Sequence, residues 1–304
     1  MTRARPTISV VVPVHNLAIE LGATLASVLA QTVLPDEIIV IDDGSADRSA
    51  AVAEEMAAQN PTVRILVIRR AHEGPGAARN AGVEAARSDW VAFLDGDDLW
   101  EPEKIEALNQ AMDANPTASM IVHDFWTVGA NAQLNWEKVH RLYDPAQPLL
   151  PQIFRTNFIA TSSAAVRRDV LRGISGFDTT LAASQDFELW LRLATVVTLV
   201  FIPKPLERYV ERRASVSRRI ALRYRCLLRI AYQHAPALVP LTGWRRAYCL
   251  RLRLVLIAHY NAWVQLWRGG SVREFLAVCV SAPFQISRAL LTPLRASSHP
   301  IVPR

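Results

Sequence analysis

Four short stretches of this 304-residue chain carry residue types that could do chemistry. Asp42 and Asp43 end the apolar run EIIVIDD, and Asp95, Asp97 and Asp98 lie in WVAFLDGDD. Like charges gathered at a strand end are costly unless a cation, a shared proton or a hydrogen-bond donor offsets them. A divalent metal, the N–H of a bound base and a nearby arginine are the offsets open to such a site. Carboxylates two apart, as in Asp95-Gly96-Asp97, can point the same way. A hard cation such as Mg2+ or Mn2+ prefers oxygen ligands and usually keeps substrate phosphate oxygens. Between the acidic ends lies GPGAARN, with Gly74, Gly76, Arg79 and Asn80. Free N–H groups at a helix start, with an arginine, suit a diphosphate or ribose. The fourth stretch, SQDFELWLRLA, opens on Gln185 and Asp186 and continues through Glu188 and Trp190. An aspartate there is either a helix cap or a base at a site rim.

The elements that must position these residues alternate. TISVVVP, EIIVID, VRILVIRR and WVAFLD are apolar runs of strand length. Helical patterns separate or follow them: LGATLASVLAQ, residues 47–59, GPGAARNAGVEAAR and residues 101–114, the last opening on Glu101-Pro102. Such alternation predicts right-handed βαβ units and a mainly parallel sheet covered on both faces. In an open α/β sheet, ligands bind at the carboxyl ends of the strands, where the acidic clusters fall. Further on, ASMIVHDFW and TVVTLVFIP read as strands and FIATSSAAVRRDVLRGISGFD as a strand, a helix and a Gly-containing stop. SQDFELWLRLA reads as an amphipathic helix with Leu189, Trp190 and Leu193 inward, residues 205–219 as a basic loop. From residue 220 the pattern is all-helical, with breaks expected at Pro236–Pro240, Gly269-Gly270 and Pro283.

VVPVHN, IIVIDDGSADRS, GPGAARNAG, WVAFLDGDDLW, GISGFD and SQDFELWLRLA occur in this order. Together they resemble family 2 glycosyltransferases, inverting enzymes of the GT-A fold, over about residues 6–215. The resemblance implies an α/β GT-A catalytic domain at 1–219, followed by a basic helical extension at 220–304. It implies inverting transfer of a monosaccharide from a nucleotide-sugar, a UDP-sugar favoured, to a hydroxyl of a glycan or lipid-linked saccharide in bacterial surface polysaccharide assembly. Asp97 would be the metal ligand, with Asp95 also toward the donor and Asp98 in support. Asp42 and Asp43 would accept the base N–H, and Pro13, Gly76 and Arg79 would line the donor. Asp186 would be the general base, with Glu188 in reserve; Trp100 and Trp190 lie beside the site motifs, where a ring could stack on sugar. The family usually has Glu-Asp where this chain has Gln185-Asp186, so one neighbouring charge is missing. Inverting transfer needs a stabilised leaving diphosphate, a deprotonated acceptor and an in-line donor. A nucleotidyltransferase using the same pocket, and a catalytically silent scaffold or glycan-binding protein on this fold, remain alternatives. A haloacid-dehalogenase signature is set aside, because Asp42 and Asp43 are adjacent and adjacent strand residues face opposite ways.

The charge is uneven. Residues 1–206 hold 17 Lys and Arg against 25 Asp and Glu, a net of −8, and residues 207–304 hold 17 Arg against 3 Glu, a net of +14. Arg208, Arg212, Arg213, Arg218 and Arg219, around Ser215 and Ser217, could close over a diphosphate. Arg245, Arg246, Arg251, Arg253 and Arg268, interleaved with Leu252, Leu256, Trp263 and Trp267, fit an anionic membrane surface. No nucleic-acid-binding motif accompanies the charge. Cys226, Cys249 and Cys279 have no metal-ligand spacing and read as buried thiols in a reducing compartment. His15, His72 and His123 read as structural or site-lining. The longest charge-free stretches, 21–35 and 230–244, have 15 residues each. A spanning helix needs roughly 20, so none is expected. The expected location is cytoplasmic, peripheral on the inner face of the cytoplasmic membrane.

Overall fold

The computed structural model describes residues 5–129, 132–210, 216–269 and 272–294, the side chains of 216–219 and 268–269 excepted. Strand β1 (Ile8–Val14) leads through α1 (Leu21–Leu29) to β2 (Glu37–Asp43), and α2 (Ser49–Gln59) leads on to β3 (Ile65–Arg70). Next come α3 (Pro75–Ala85), β4 (Trp90–Phe93), the short β5 (Leu99–Trp100) and α4 (Lys104–Ala114). Strand β6 (Met120–Val128) turns back as β7 (Leu134–Glu137), followed by a 3-10 turn at Val139–Leu142 and α5 (Leu149–Arg155). A second 3-10 turn, Thr161–Ser163, precedes β8 (Ala165–Arg167), α6 (Arg168–Gly173), α7 (Gln185–Leu193) and β9 (Leu199–Val210). The described residues that follow form α8 (Val216–His234), a 3-10 turn at Ala235–Leu238, α9 (Val239–Thr242), α10 (Trp244–Gly269) and α11 (Val272–Leu291).

The chain divides into two compact units. The first comprises the described residues of Met1–Tyr143, Phe158–Thr179 and Val196–Glu211. Its nine-stranded sheet has the order β3-β2-β1-β4-β8-β6-β9-β5, with β7 paired to β6. The run β3-β2-β1-β4 is parallel, and β8 enters antiparallel against both β4 and β6. All residues of β1 and β2 are buried, as central strands covered on both faces require. Val10, Val12, Ile38 and Val40 share a core with Leu21, Leu25 and Val28 of α1 and Ile105 and Leu108 of α4. Parallel register places Val14 beside Asp42, and Val11 beside Phe93, so the acidic ends of β2 and β4 open on one sheet edge.

The second unit comprises the described residues of Asp144–Asn157, Thr180–Thr195 and Arg212–Arg304. It holds α5, α7 and the helices from α8 onward. Ile230 and Ala231 of α8, Ala247, Val255 and Ala258 of α10, and Val278 and Ala289 of α11 are among its buried residues.

Several elements differ from the sequence reading. Pro205–Val210 are not loop but the end of β9, with Leu99 beside Arg208 and Thr127 beside Tyr209. The cause is tertiary: Leu206 and Glu207 are buried within the sheet. Arg212, Arg213 and Ser215 lie outside the described residues, as do the side chains of Ser217, Arg218, Arg219 and Arg268. Glu101 and Pro102 precede α4, which starts at Lys104, a side chain that is fully buried. Cys249 is exposed, on the outer side of α10, and only Cys226 is fully buried among the three thiols. Helix α11 is long and apolar enough to cross a membrane by length and composition, because its few charges lie near its ends rather than being absent.

Pro283 does not break α11. Proline forfeits one backbone hydrogen bond and crowds the preceding turn. Here Tyr232 Oη donates to the Gln285 carbonyl (2.9 Å) and Arg251 Nη2 to the Ala289 carbonyl (2.6 Å), anchoring the helix beyond the proline. Replacing Pro283 by Ala is expected to stabilise the protein by roughly 1–3 kcal/mol, read as a higher midpoint in urea unfolding with unchanged slope.

Candidate active site

The end of β2 is held from two sides. Both Asp43 carboxylate oxygens accept backbone N–H groups, Glu73 N at 2.8 Å and Gly74 N at 2.9 Å, and the side chain is almost fully buried. Carboxylate oxygens have further lone pairs, and His72 Nδ1 lies 2.8 Å from Oδ2. His15 Nδ1 meets the Asp43 carbonyl at 2.8 Å, and the His15 and His72 rings stack at 4.1 Å. Asp42 Oδ1 accepts Ser45 N at 3.2 Å. The acidic pair thus orders the loops after β1, β2 and β3. His15, Asp43 and His72 also bring possible metal-ligating atoms within 4.8 Å of one another. Sequence reading treated these histidines as structural or site-lining and did not foresee that they stack.

The glycine loop reaches the second acidic end through Arg79. Helix α3 starts at Pro75, and Arg79, one turn in, is buried. Its Nη2 donates to Asp95 Oδ1 at 2.5 Å. The guanidinium lies 5.4 Å from the Phe177 ring, which meets Phe93 edge-on at 5.3 Å. Asn80 clasps the backbone of Phe177 in both directions: Nδ2 donates to its carbonyl (2.9 Å) and Oδ1 accepts its N–H (2.7 Å). Gly176 makes this possible. It has φ +63°, and a Cβ there would lie 2.3 Å from Asn80 Oδ1. The GISGFD segment is therefore the clamp that holds Arg79 and Asn80.

Asp95-Gly96-Asp97-Asp98 rests on a buried polar foundation. Gly96 approaches β1 closely, so that a Cβ would meet the Pro13 carbonyl at 3.1 Å, and its own carbonyl accepts Thr24 Oγ1 at 3.0 Å. Ser162 Oγ accepts Asp95 N (3.0 Å) and donates to Asp98 Oδ2 (2.6 Å). The Ser162 carbonyl accepts Trp100 Nε1 (3.2 Å) and Lys104 Nζ. Lys104 is fully buried, its ammonium 3.9 Å from the centre of the Trp100 ring. Glu207 is also fully buried, and neither carboxylate oxygen has a hydrogen-bond partner among the described residues. Sequence reading missed Ser162, Lys104 and Glu207. The Trp100 ring, which could have stacked on sugar, is buried and lies against Lys104.

The electrostatics follow from this burial. Burial first, then the charges of Glu207 and Asp95, push the Asp98 carboxyl well above the usual carboxylate range against the Ser162 hydrogen bond. Burial pushes Glu207 up to about 8, with Lys104 opposing and Asp95 adding to it. Burial pulls Lys104 down to about 7 against the attraction of Glu207 and Asp98. It also pulls His123 well below its usual value, with Lys104 adding to the effect. Asp95 and Asp97 offer carboxylate oxygens, the ligand type that a hard divalent cation prefers.

In the second unit, α7 opens with Gln185 and Asp186 behind Ser184, which takes a left-handed conformation at φ 58°. Leu189, Trp190 and Leu193 are fully buried, so the Trp190 ring is core and not a sugar platform. Glu188 is buried too, held by Arg192 Nη2 at 2.7 Å and His234 Nε2 at 3.1 Å. Burial raises its pKa, but the hydrogen bonds from His234 and Arg192 outweigh that and leave it lowered. A buried, ion-paired carboxylate of lowered pKa is a weak base, so Glu188 ties α7 to α8. Asp186 lies in the first turn of α7.

The family model described as Glycosyl transferase family 2 matches residues 9–174. The chain belongs to this family. A glycosyltransferase of Nostoc sp. is 33% identical over 175 residues, covering 56% of this chain and 54% of that protein. The succinoglycan biosynthesis protein ExoO of Rhizobium meliloti is 38% identical over 109 residues, 36% of this chain and 30% of its own. This family 2 chain therefore spans about half the length of the first and matches less of the second. TarS of S. aureus, solved with UDP-GlcNAc, superposes with a TM-score of 0.68 at 17% identity, over 93% of this chain and 81% of that one. The mannosyltransferase PcManGT of Pyrobaculum calidifontis, solved with GDP-Man and Mn2+, gives 0.60 at 18% identity, over 96% and 82%. At these identities the likeness establishes the fold, GT-A, in which this family 2 chain agrees with the class expected.

Two outcomes follow for the foundation. Ser162→Ala removes the bridge between Asp95 and Asp98 and is expected to cost about 1–3 kcal/mol in denaturant unfolding, with Ser162→Thr recovering part of it. Glu207 keeps its proton in the fold while the unfolded chain loses it near 4.5, so its contribution is full below that pH and is lost as pH rises through about 8. Lys104 acts in the opposite sense, its contribution returning as pH rises above about 7 toward 10.5. Glu207→Gln removes the first slope. Unfolding measured from about pH 5 to about pH 7 should show the unsubstituted protein losing up to about 1.4 kcal/mol per pH unit relative to the variant.

Proposed function

We propose that this protein is an inverting, metal-dependent glycosyltransferase that moves a monosaccharide from a UDP-sugar to a hydroxyl of a glycan or lipid-linked saccharide. The observation that carries the proposal is the 2.5 Å pairing of Arg79 with Asp95, which joins the glycine loop to the acidic strand end. An arginine and a carboxylate cluster at the carboxyl edge of a sheet suit a diphosphate and its cation. In this reading Asp97, with Asp95, holds Mn2+ or Mg2+, which supplies charge to offset the departing diphosphate. Asp42 and Asp43 receive the base, Pro13, Gly76 and Arg79 line the donor, and Asp98 supports the loop through Ser162. Asp186 takes the acceptor proton, without the acidic neighbour usual before it. Residues 1–219 form the catalytic domain and 220–304 an extension. The UDP-GlcNAc bound by TarS, the Mn2+ bound by PcManGT and the polysaccharide role named for ExoO support donor, metal and acceptor class respectively. Action at the inner face of the cytoplasmic membrane, in surface polysaccharide assembly, fits that acceptor.

Thermal unfolding with UDP, GDP, CDP and dTDP, each with and without Mn2+, tests the reading. UDP with Mn2+ should raise the midpoint by mass action, and Asp97→Ala should abolish that rise. Asp186→Asn should keep the rise and lose transfer to a saccharide acceptor by about 10^2- to 10^4-fold. A folded protein whose midpoint moves with no nucleotide would refute the proposal.

A further inference from the structure

Helix α11 wears its apolar face outward. Val272, Leu276, Val280, Phe284 and Leu291, spaced to fall on one side of a helix, are all exposed, Val280 to 79%. The opposite side is committed to protein. Val278 and Ala289 are buried, Tyr224 Oη lies 3.3 Å from Ser281 Oγ, and Arg251 Nη2 donates to the carbonyls of both Ala289 and Thr292 at 2.6 Å. Helix α10 carries a matching stripe, Leu256, Tyr260, Trp263 and Trp267, also exposed. Trp263 and Trp267 stack on each other and both meet Phe275 of α11, at 6.2 and 5.7 Å. The two apolar stripes therefore adjoin at the end of α10 and the start of α11.

We infer that the α10–α11 hairpin is an in-plane membrane-binding surface for a bilayer with anionic headgroups. An apolar surface this continuous is rare on a soluble monomer and marks an interaction site. The charge around it selects the occupant. Arg245, Arg246 and Arg253 on α10, and Arg273 and Arg288 near the ends of α11, are exposed, and Glu274 is the sole acidic residue from 212 to 304. Arginine beside tryptophan and aliphatic side chains suits the headgroup–acyl boundary of an anionic leaflet. A second copy of the chain would set like charge against like. A spanning pose would strip α11 from the hydrogen bonds and packing on its inner side. The inference deepens the proposed function, on which it rests for the acceptor: a lipid-linked saccharide would be met at this surface.

Sedimentation of the full chain with vesicles tests it without any sugar transfer. We expect binding to vesicles of phosphatidylcholine with phosphatidylglycerol, weak binding to phosphatidylcholine alone, and partial release by salt. Val280→Glu with Phe284→Glu should weaken binding by about tenfold or more, while circular dichroism and the nucleotide-dependent thermal shift stay unchanged. Absence of binding to either vesicle, equal binding by the variant, or apolar-face burial in a dimer that ignores vesicles would each overturn the inference. Resistance of cell-membrane-bound protein to alkaline carbonate would also overturn it, in favour of a spanning helix. A chain that binds vesicles but no nucleotide would leave the surface standing and remove the transferase reading.

Discussion

Buried charge beneath an acidic loop is the constraint on which the first unit depends. Asp95, Asp97 and Asp98 lie within four residues, and Glu207 is buried close enough to raise the Asp98 pKa. Water does not reach Glu207 or Lys104. Taking such groups out of solvent costs several kcal/mol per ion unless partners return most of it. Protonation relieves Glu207 and Asp98, whose pKa values burial raises, while Lys104 adds an attracting amine, Trp100 a ring face for it, and Ser162 a shared hydroxyl. The arrangement draws together the start of α4, the end of β9 and the 3-10 turn at Thr161–Ser163.

Above this foundation the side chains of the candidate site are held by backbone as much as by side chains. Asp43 is pinned by two N–H groups of the loop after β3, Arg79 by Asp95 and Phe177, and Asn80 by the Phe177 peptide. Each polar side chain restrains a neighbouring segment, so the geometry of this sheet edge is set by the fold itself; under the proposed function that is the preorganisation transfer chemistry rewards.

The parallel half of the sheet was legible because β1, β2 and β4 are apolar runs punctuated by glycine and aspartate, and because Pro75 and Arg79 sit at a readable helix start. The amphipathic α7 was legible in the same way. What lay hidden depends on long-range partners. Lys104 near a helix start reads as a solvated charge, and Thr161–Ser163 offers no periodicity. Glu207 in a stretch with Arg208 reads as loop until β6 and β5 are seen to flank it. Trp100 beside an acidic motif suggests a ligand platform, yet Lys104 lies over its ring. The periodicity of α11 reveals an apolar face but not its direction, and an inward face is the ordinary expectation. Its outward turn is decided by Tyr232, Arg251 and Val278, which engage the other side.

The Asn80–Phe177 clasp joins residues 97 positions apart in the chain. A ribosome releases the chain from its N-terminus, and contacts of large sequence separation form only after their later partner has emerged. The first parallel strands and α3 can therefore assemble while Arg79 still lacks its aromatic backing and Asn80 its peptide. The nascent chain passes through a stage with parallel strands but no Asn80–Phe177 clasp, and closure of the clasp reports that synthesis has passed Phe177.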